Sequence, residues 1–364
     1  MTARRVFLAA TGQNRGKTTT SLGLAAAIAG SGHRLAFLKP IGQRYVLVDG
    51  ARADEDAVLM KAVFDLPHAL ADMSPVTVPR HFTSDFVMGR VDDDLSAKVV
   101  AAADRLGRDS DVLLVEGTGH AGVGAVIGLS NARVAALLDA PVIIVSEGGV
   151  GRPIDEIVLN QALFERHGVR VIGAVVNKVN VDASPELREV LRRGLAQQGI
   201  ELLGCIPYSD FLANPSLELL ESHLPGERLS GEPAPERTIG HVAIGAMRAE
   251  HAVPLLRDRT LLITPGDRDD LLAAALDLGG GASDGPPRVS GVILTGGFRP
   301  PAGMLDRMRA AGLWSYLVET DTYRTAEAVH DVLVKTHPGD TEKIETIIRL
   351  VGESLDADAL LARL

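Results

Sequence analysis

The chain carries a single cysteine, Cys205. One thiol excludes an intramolecular disulfide and makes a cysteine-based metal cluster unexpected. Aromatic residues make up 4% of the chain, so Leu, Val, Ile and Ala must fill the core that a 46% hydrophobic composition allows. No apolar run reaches the ~18 residues that cross a bilayer. Arg4-Arg5 ahead of Val6–Ala10 is too short an apolar segment for a secretory leader. Long runs of Lys or Arg are also missing, and the net charge is -10, from 37 basic and 47 acidic residues. Nucleic acids and acidic membranes are recognised by clustered positive charge, so neither is an expected partner. Together these absences fit a reducing cytoplasm. At roughly 100–200 residues per domain, 364 residues suggest two domains.

What is present is an alternation of short apolar runs with helical patterns. Strands are expected at Val6–Ala10, Leu35–Leu38, Val112–Val115, Val142–Val145, Val171–Val176 and Leu202–Ile206. Helices are expected at Lys17–Ala29, Ala132–Leu138, Ile154–Arg166 and Pro185–Gln197. Nearly continuous apolar strands separated by helices read as a parallel sheet covered on both faces. Ligands of such sheets sit at the carboxyl ends of the strands. The stretch Pro215–Arg237, richer in Pro, Gly, Ser and Glu, reads as a boundary. A second α/β pattern follows, with strands at Leu261–Thr264, Val289–Leu294 and Tyr316–Val318 and helices at Asp269–Leu278, Met304–Ala310 and Ala326–Val334. Gly279–Pro287 reads as a flexible loop within it. The fold class expected is α/β, with a phosphate-binding domain over residues 1–220 and a smaller α/β domain over residues 235–355.

Residues 6–20 read VFLAATGQNRGKTTT, a strand running into a glycine loop and then a helix. Glycine lets the backbone turn its N–H groups onto phosphate, and the helix N-terminus adds its dipole. Gly12, Gln13, Asn14, Arg15, Gly16, Lys17, Thr18 and Thr19 are the expected phosphate contacts. Lys17 would meet the β and γ phosphates and the Thr18 hydroxyl would meet Mg2+. In the usual G-x-x-x-x-G-K-[ST] spacing the first glycine falls at position 11, which is Thr11; Gly12 is one place late.

The strand of DVLLVEGTGHAGVG ends at Glu116, which is either an ordinary strand end with an acidic first turn residue or, as in the Walker B strand it resembles, a terminal acid that helps hold Mg2+ directly or through water. Asp54-Glu55-Asp56 opens a helix, where acids either cap the helix or, in Asp56, complete a metal set of one or two carboxylates. Lys39 ends the second strand, either solvated or directed at phosphate or an anionic substrate. Asn177 ends the fifth strand as a turn former or a reader of the adenine edge, and Pro207-Tyr208 would wall the base. His120 is either a loop cap or a group reaching the γ-phosphate. In the second pattern, Gly266-Asp267-Arg268 and Thr295-Gly296-Gly297 follow strands; either they admit an anion or they make tight turns.

In their order, Gly12–Thr18, Lys39-Pro40, Asp56-Ala57, Glu116–Gly119, Asn177 and Ile206–Tyr208 resemble the dethiobiotin synthetase-like branch of P-loop proteins. The longer runs Glu116–Gly124, Ser146–Glu156 and Ile206–Leu217 are closer to the dethiobiotin synthetase-like N-terminal region of phosphate acetyltransferase. The second pattern is similar to the DRTGG domain that follows there. The resemblance implies an ATP- and Mg2+-dependent site in which Lys17, Lys39 and Glu116 act in catalysis and Thr18, Asp56 and Glu116 hold the metal. It implies a homodimer with a small-molecule substrate or effector. It also implies phosphoryl transfer to a carboxylate or carbamate, or nucleotide sensing in acetyl-phosphate or acyl-CoA metabolism. The sequence ends where the acetyl-transferring domain would begin, so phosphate acetyltransferase activity is not expected of it alone. Ser146–Arg152 reads differently from the substrate loop of dethiobiotin synthetase, which argues against biotin synthesis. Glutamine-dependent amidation, as in cobyrinic acid a,c-diamide synthase, is not expected, because Cys205 lies inside an apolar strand.

Overall fold

The computed structural model describes residues 3–180, 186–234, 237–279, 287–332 and 334–364. The chain forms two units, one of Met1–Tyr208 with Thr336–Leu364, the other of Ser209–Lys335.

In the first unit the strand–helix alternation is β1 (Arg4–Ala10), α1 (Lys17–Gly30), β2 (Leu35–Leu38), α2 (Glu55–Phe64), α3 (Leu95–Arg108), β3 (Val112–Glu116), α4 (Asn131–Leu137), β4 (Val142–Glu147), α5 (Gly151–Arg166), β5 (Val171–Val179), α6 (Leu187–Gln197) and β6 (Leu202–Pro207). The six strands make one sheet in the order β6-β5-β4-β1-β3-β2, and every pairing in it is parallel. Strands β2 and β3 are wholly buried, as the continuous apolar runs required. The chain builds to one side of β1 through β3 and β2, then to the other through β4, β5 and β6. That reversal puts the topological switch point at the carboxyl end of β1. Strand β6 is an edge, and only Gly204 and Ile206 of it are buried. Cys205, expected inside a buried strand, is therefore half-buried, and burial raises its thiol pKa. Pro185, expected to start α6, lies outside the described residues.

The second unit contains α7 (Leu217–His223), β7 (Gly226–Ser230), β8 (His241–Ile244), β9 (Thr260–Pro265), α8 (Asp269–Gly279), β10 (Val289–Thr295), α9 (Ala302–Ala310), β11 (Trp314–Val318) and α10 (Thr322–Asp331). Its sheet runs β7-β11-β10-β9-β8, parallel except that β7 is antiparallel to β11. Apolar clusters lie on both faces: Leu271, Leu272 and Met308 belong to one, and Leu217, Leu220, Trp314 and Val329 to the other. The stretch read from composition as a boundary thus contributes α7 and β7 to this unit. The loop expected at Gly279–Pro287 falls on residues 280–286, outside the described ones.

After the second unit the chain returns to the first with α11 (Thr341–Ser354). Ile344, Ile347 and Val351 recur at helical spacing and are buried. The partner of α11 is α1, whose TTTSLGLAAAIAG sequence has small residues on several sides. Gly23 allows the approach, because a Cβ built there would lie 2.1 Å from Val351 Cβ. Among the described residues no helix is long and apolar enough to cross a membrane.

Candidate functional site

The switch point is filled by the loop Thr11–Gly16. Gly16 sits at φ +93°, and a Cβ on it would fall 1.7 Å from Asn177 Nδ2. Both conformation and space therefore require glycine there. Gly12 has no such demand, since the nearest atom to an added Cβ is the flexible Arg15 side chain at 3.3 Å. This accounts for the irregular spacing: the sterically necessary glycine is the second one. Helix α1 starts at Lys17 with no side-chain cap, and its first N–H groups have no intrahelical partners by geometry.

The loop is fastened to its neighbours along its length. The Thr11 N–H donates to Val145 O at 2.9 Å, and its hydroxyl meets Ser146 Oγ at 3.2 Å. Asn177 Nδ2 donates to Arg15 O at 3.3 Å, and Lys178 Nζ to Asn14 O at 3.1 Å. The Arg15 guanidinium pairs with Glu147 and, at 3.7 Å, with Glu156. Lys178 completes the set, 2.6 Å from Glu147. Arg15, expected among the phosphate contacts, is thus tied to the carboxylates that flank the loop after β4. Asn177 holds the loop from the sheet, Pro207 ends β6, and Tyr208 beyond it is 48% exposed. Gln13 and Asn14 are exposed, whereas Thr19 is half-buried.

Beside the loop lies a buried charge centre. Lys39 Nζ donates to Asp56 Oδ2 at 2.5 Å and to Glu116 Oε1 at 2.8 Å. The Thr18 hydroxyl donates to Asp56 Oδ1 at 3.2 Å and Glu116 Oε1 at 3.3 Å. Ser21 Oγ donates to Glu116 Oε2 at 2.6 Å. Capping of α2 falls to Asp54, which accepts from the Asp56 N–H at 3.0 Å. The two readings of the acidic cluster thereby divide between two residues: Asp54 caps, and Asp56 faces Thr18 and Lys39.

Burial opposes the charge on Lys39, but Asp56, Glu116 and Asp54 outweigh it, and its pKa lies above the ordinary lysine value. Burial pushes the Glu116 carboxyl upward, with Lys39 acting against it. Burial likewise raises Asp54 to about 7. Lys17 goes the other way, lowered to about 8 by burial and then by Lys39.

The donors match the preferences of Mg2+, which takes hard oxygens from one or two carboxylates and completes its shell with phosphate and water. Thr18, Asp56 and Glu116 would hold the ion. Among the described residues no group of three or more His, Cys, Asp or Glu converges. An ion here would therefore rely on the hydroxyl and on phosphate oxygens as well.

Several contributors escaped sequence reasoning. Asn131 accepts from the Thr118 N–H and donates to the carbonyls of Thr118 and His120. Asn160 accepts from the Ala121 N–H at 2.7 Å. Both are buried, and together they fix the Gly-rich loop after β3. The available signal was a polar residue on an otherwise apolar helical face; Ser21 gives the same signal in α1. His120 is exposed and its Nδ1 accepts from the Gly122 N–H at 3.1 Å, a cap on its own loop.

In the second unit, Arg268 pairs with Asp270 at 2.8 and 2.9 Å and donates to Gly245 O and Met247 O. The Gly296 and Gly297 N–H groups donate to Thr320 O and Val318 O. Gly266 has Phe298 O 1.7 Å from where a Cβ would stand. These glycines make close turns whose donors are used within the unit.

The AAA domain model matches residues 4–216, and the DRTGG domain model matches residues 220–332. Phosphate acetyltransferase of Nitrosomonas europaea is 29% identical over 98% of this chain and 51% of its own length. That of Pseudomonas putida is 31% identical over 96% of this chain and 50% of its own length. The chain spans about half the length of these curated relatives. Among solved structures, the CBS and DRTGG domains of the regulatory region of Clostridium perfringens pyrophosphatase, complexed with the activator diadenosine tetraphosphate, match at 21% identity. That match has a TM-score of 0.29 and covers 36% of this chain and 53% of the other. With its glycine loop at the switch point and its paired acids beside it, the chain belongs to the AAA-domain family of P-loop, nucleotide-binding proteins, with a DRTGG domain following.

Proposed function

We propose that the first unit binds Mg-ATP and transfers its terminal phosphoryl group to a small carboxylate or carbamate. The observation that carries this reading is the buried Lys39–Asp56–Glu116 centre set against Thr18 at the start of α1. A site that only sequesters phosphate needs the loop and Lys17; a buried lysine on the same carboxylates that meet Thr18 suits an anionic acceptor or a migrating phosphoryl group. In this reading Gly12–Thr19 cradle the phosphates and Lys17 neutralises the β and γ groups. Thr18, Asp56 and Glu116 hold Mg2+, which would offset charge on the transferring oxygens. Lys39 orients the acceptor, and Asn177 and Pro207 border the base. The test is ADP release in a screen of carboxylates and diamines. An acceptor should raise turnover above the basal rate, and Lys17→Ala should abolish it. Failure of every acceptor to do so removes the transfer step.

A second reading, nucleotide sensing in acetyl-phosphate metabolism with an effector on the DRTGG domain, is favoured by the similarity to phosphate acetyltransferases along nearly the whole chain. It requires partners captured with Mg-ATP that are lost without it. For either reading we propose a cytoplasmic homodimer, to be checked by light scattering.

A further inference from the structure

The oxygens that suit a divalent ion in this site are the ones that hold a lysine. Glu116 Oε1 accepts from both Lys39 Nζ and the Thr18 hydroxyl, at 2.8 and 3.3 Å. Asp56 gives one oxygen to each, at 2.5 and 3.2 Å. The side chains of Lys39, Asp56 and Glu116 are 5%, 15% and 1% exposed, so water screens this cluster poorly. Their charges also decide what can join them. Two carboxylates match a divalent ion; two carboxylates with Lys39 fall one charge short of neutral, and adding a divalent ion beside the lysine overshoots to a net positive cluster. Leaving the carboxylates with neither cation is costly, because buried uncompensated charge is strongly destabilising. The backbone keeps Lys39 in place, since its N–H donates to Met73 O at 2.7 Å.

We propose that Lys39 competes with the divalent ion for Asp56 and Glu116, so that the centre accepts metal only when phosphate gives the ammonium a second anionic partner. This rests on the Mg-nucleotide reading above and adds an order to it: metal loads with the nucleotide, not ahead of it. Besides orienting the acceptor, Lys39 then acts as a monovalent counterion that stabilises the fold and as a gate on the metal.

The experiment is a Mn2+ titration without nucleotide, followed by the paramagnetic signal of the unbound ion, with thermal melts in parallel. The unmodified chain should leave Mn2+ unbound at concentrations where Lys39→Met takes up one ion, a gain of at least about tenfold in affinity. Lys39→Met should melt at lower temperature, and Mn2+ should restore a large part of the loss while leaving the unmodified melt unchanged. Glu116→Gln added to Lys39→Met should remove the gained site. Lys39→Gln serves as the second variant, and a need for Mn2+ during its purification is the same result in another form. Equal Mn2+ affinity in the unmodified and Lys39→Met chains overturns the proposal, as does indifference of the bound ion to Glu116→Gln. Variants that stay unfolded in excess Mn2+ overturn it too. A separate titration with Mn-ATP reports on the nucleotide reading: no binding by the unmodified chain strikes that reading, whatever the nucleotide-free series shows.

Discussion

Changing the pH should change how many protons a nucleotide brings into the site, and Lys17 sets the amount. Its ammonium lies 3.3 Å from Gly12 O, within the phosphate loop. Burial, then repulsion from Lys39, lower its pKa from 10.5 to about 8. At pH 8 about half of the molecules therefore carry a neutral Lys17. A triphosphate in the loop favours the charged form. Binding must then draw about half a proton per nucleotide from solvent at pH 8, and close to none at pH 6, where Lys17 is already charged. Calorimetric titrations in two buffers of different ionisation heat measure this directly: at pH 8 the observed binding heats should differ by about half of the difference between the two ionisation heats. The same shift acts on stability with a definite sign. The unfolded chain binds this proton more tightly than the folded one, so between pH about 8 and about 10.5 the unfolded state holds more protons and stability rises with pH. The span amounts to about 3 kcal/mol. Below pH 8 both states are protonated and the penalty is constant. Tight binding at pH 8 with no buffer dependence would refute the placement of Lys17 against phosphate.

Gly16→Ala should lower the melting temperature and remove nucleotide binding, because the positive φ alone costs about 1–2 kcal/mol and the methyl group meets Asn177 Nδ2. Asn177→Ala relieves the clash but not the backbone strain, so the double variant should recover only in part. Gly23→Ala should destabilise by about 1–3 kcal/mol through overpacking, exceeding the gain of about 1 kcal/mol from helix propensity. Val351→Ala keeps the offending Cβ and should not rescue it, whereas Val351→Gly should; denaturant melts decide, and a neutral Gly23→Ala contradicts the packing of α11 on α1. Asn131→Ala removes three hydrogen bonds and leaves the Thr118 N–H without its acceptor. It should cost about 2–4 kcal/mol and speed amide exchange over residues 117–124.

The strands of the first unit were legible because a parallel sheet covered on both faces needs unbroken apolar runs, and VFLAA, LAFL and VLLV satisfy that in only one way. The phosphate loop was legible for a related reason: strand, glycine turn and helix-opening Lys-Thr have one joint solution. Long-range charge pairing was not. Glu147 and Glu156 look like ordinary loop and helix acids, and nothing local shows that Arg15, more than 130 positions away in sequence, is their partner. The return of α11 was equally hidden. Its apolar face announces a helix, but not that the surface it covers is α1. Residues 215–237 have the composition of a boundary, yet composition hides their packing: the Ser, Pro and Glu there surround Leu217, Leu220 and Leu224, which are buried in the second unit.

The most direct test of the site is a titration of the chain with ATP in the presence and absence of Mg2+, repeated with Lys17→Ala and Glu116→Gln. The account predicts saturable, Mg2+-dependent binding of one nucleotide per chain, lost in Lys17→Ala and no longer responsive to Mg2+ in Glu116→Gln. Binding that survives Lys17→Ala unchanged, or no saturable binding by the unmodified chain, would contradict it.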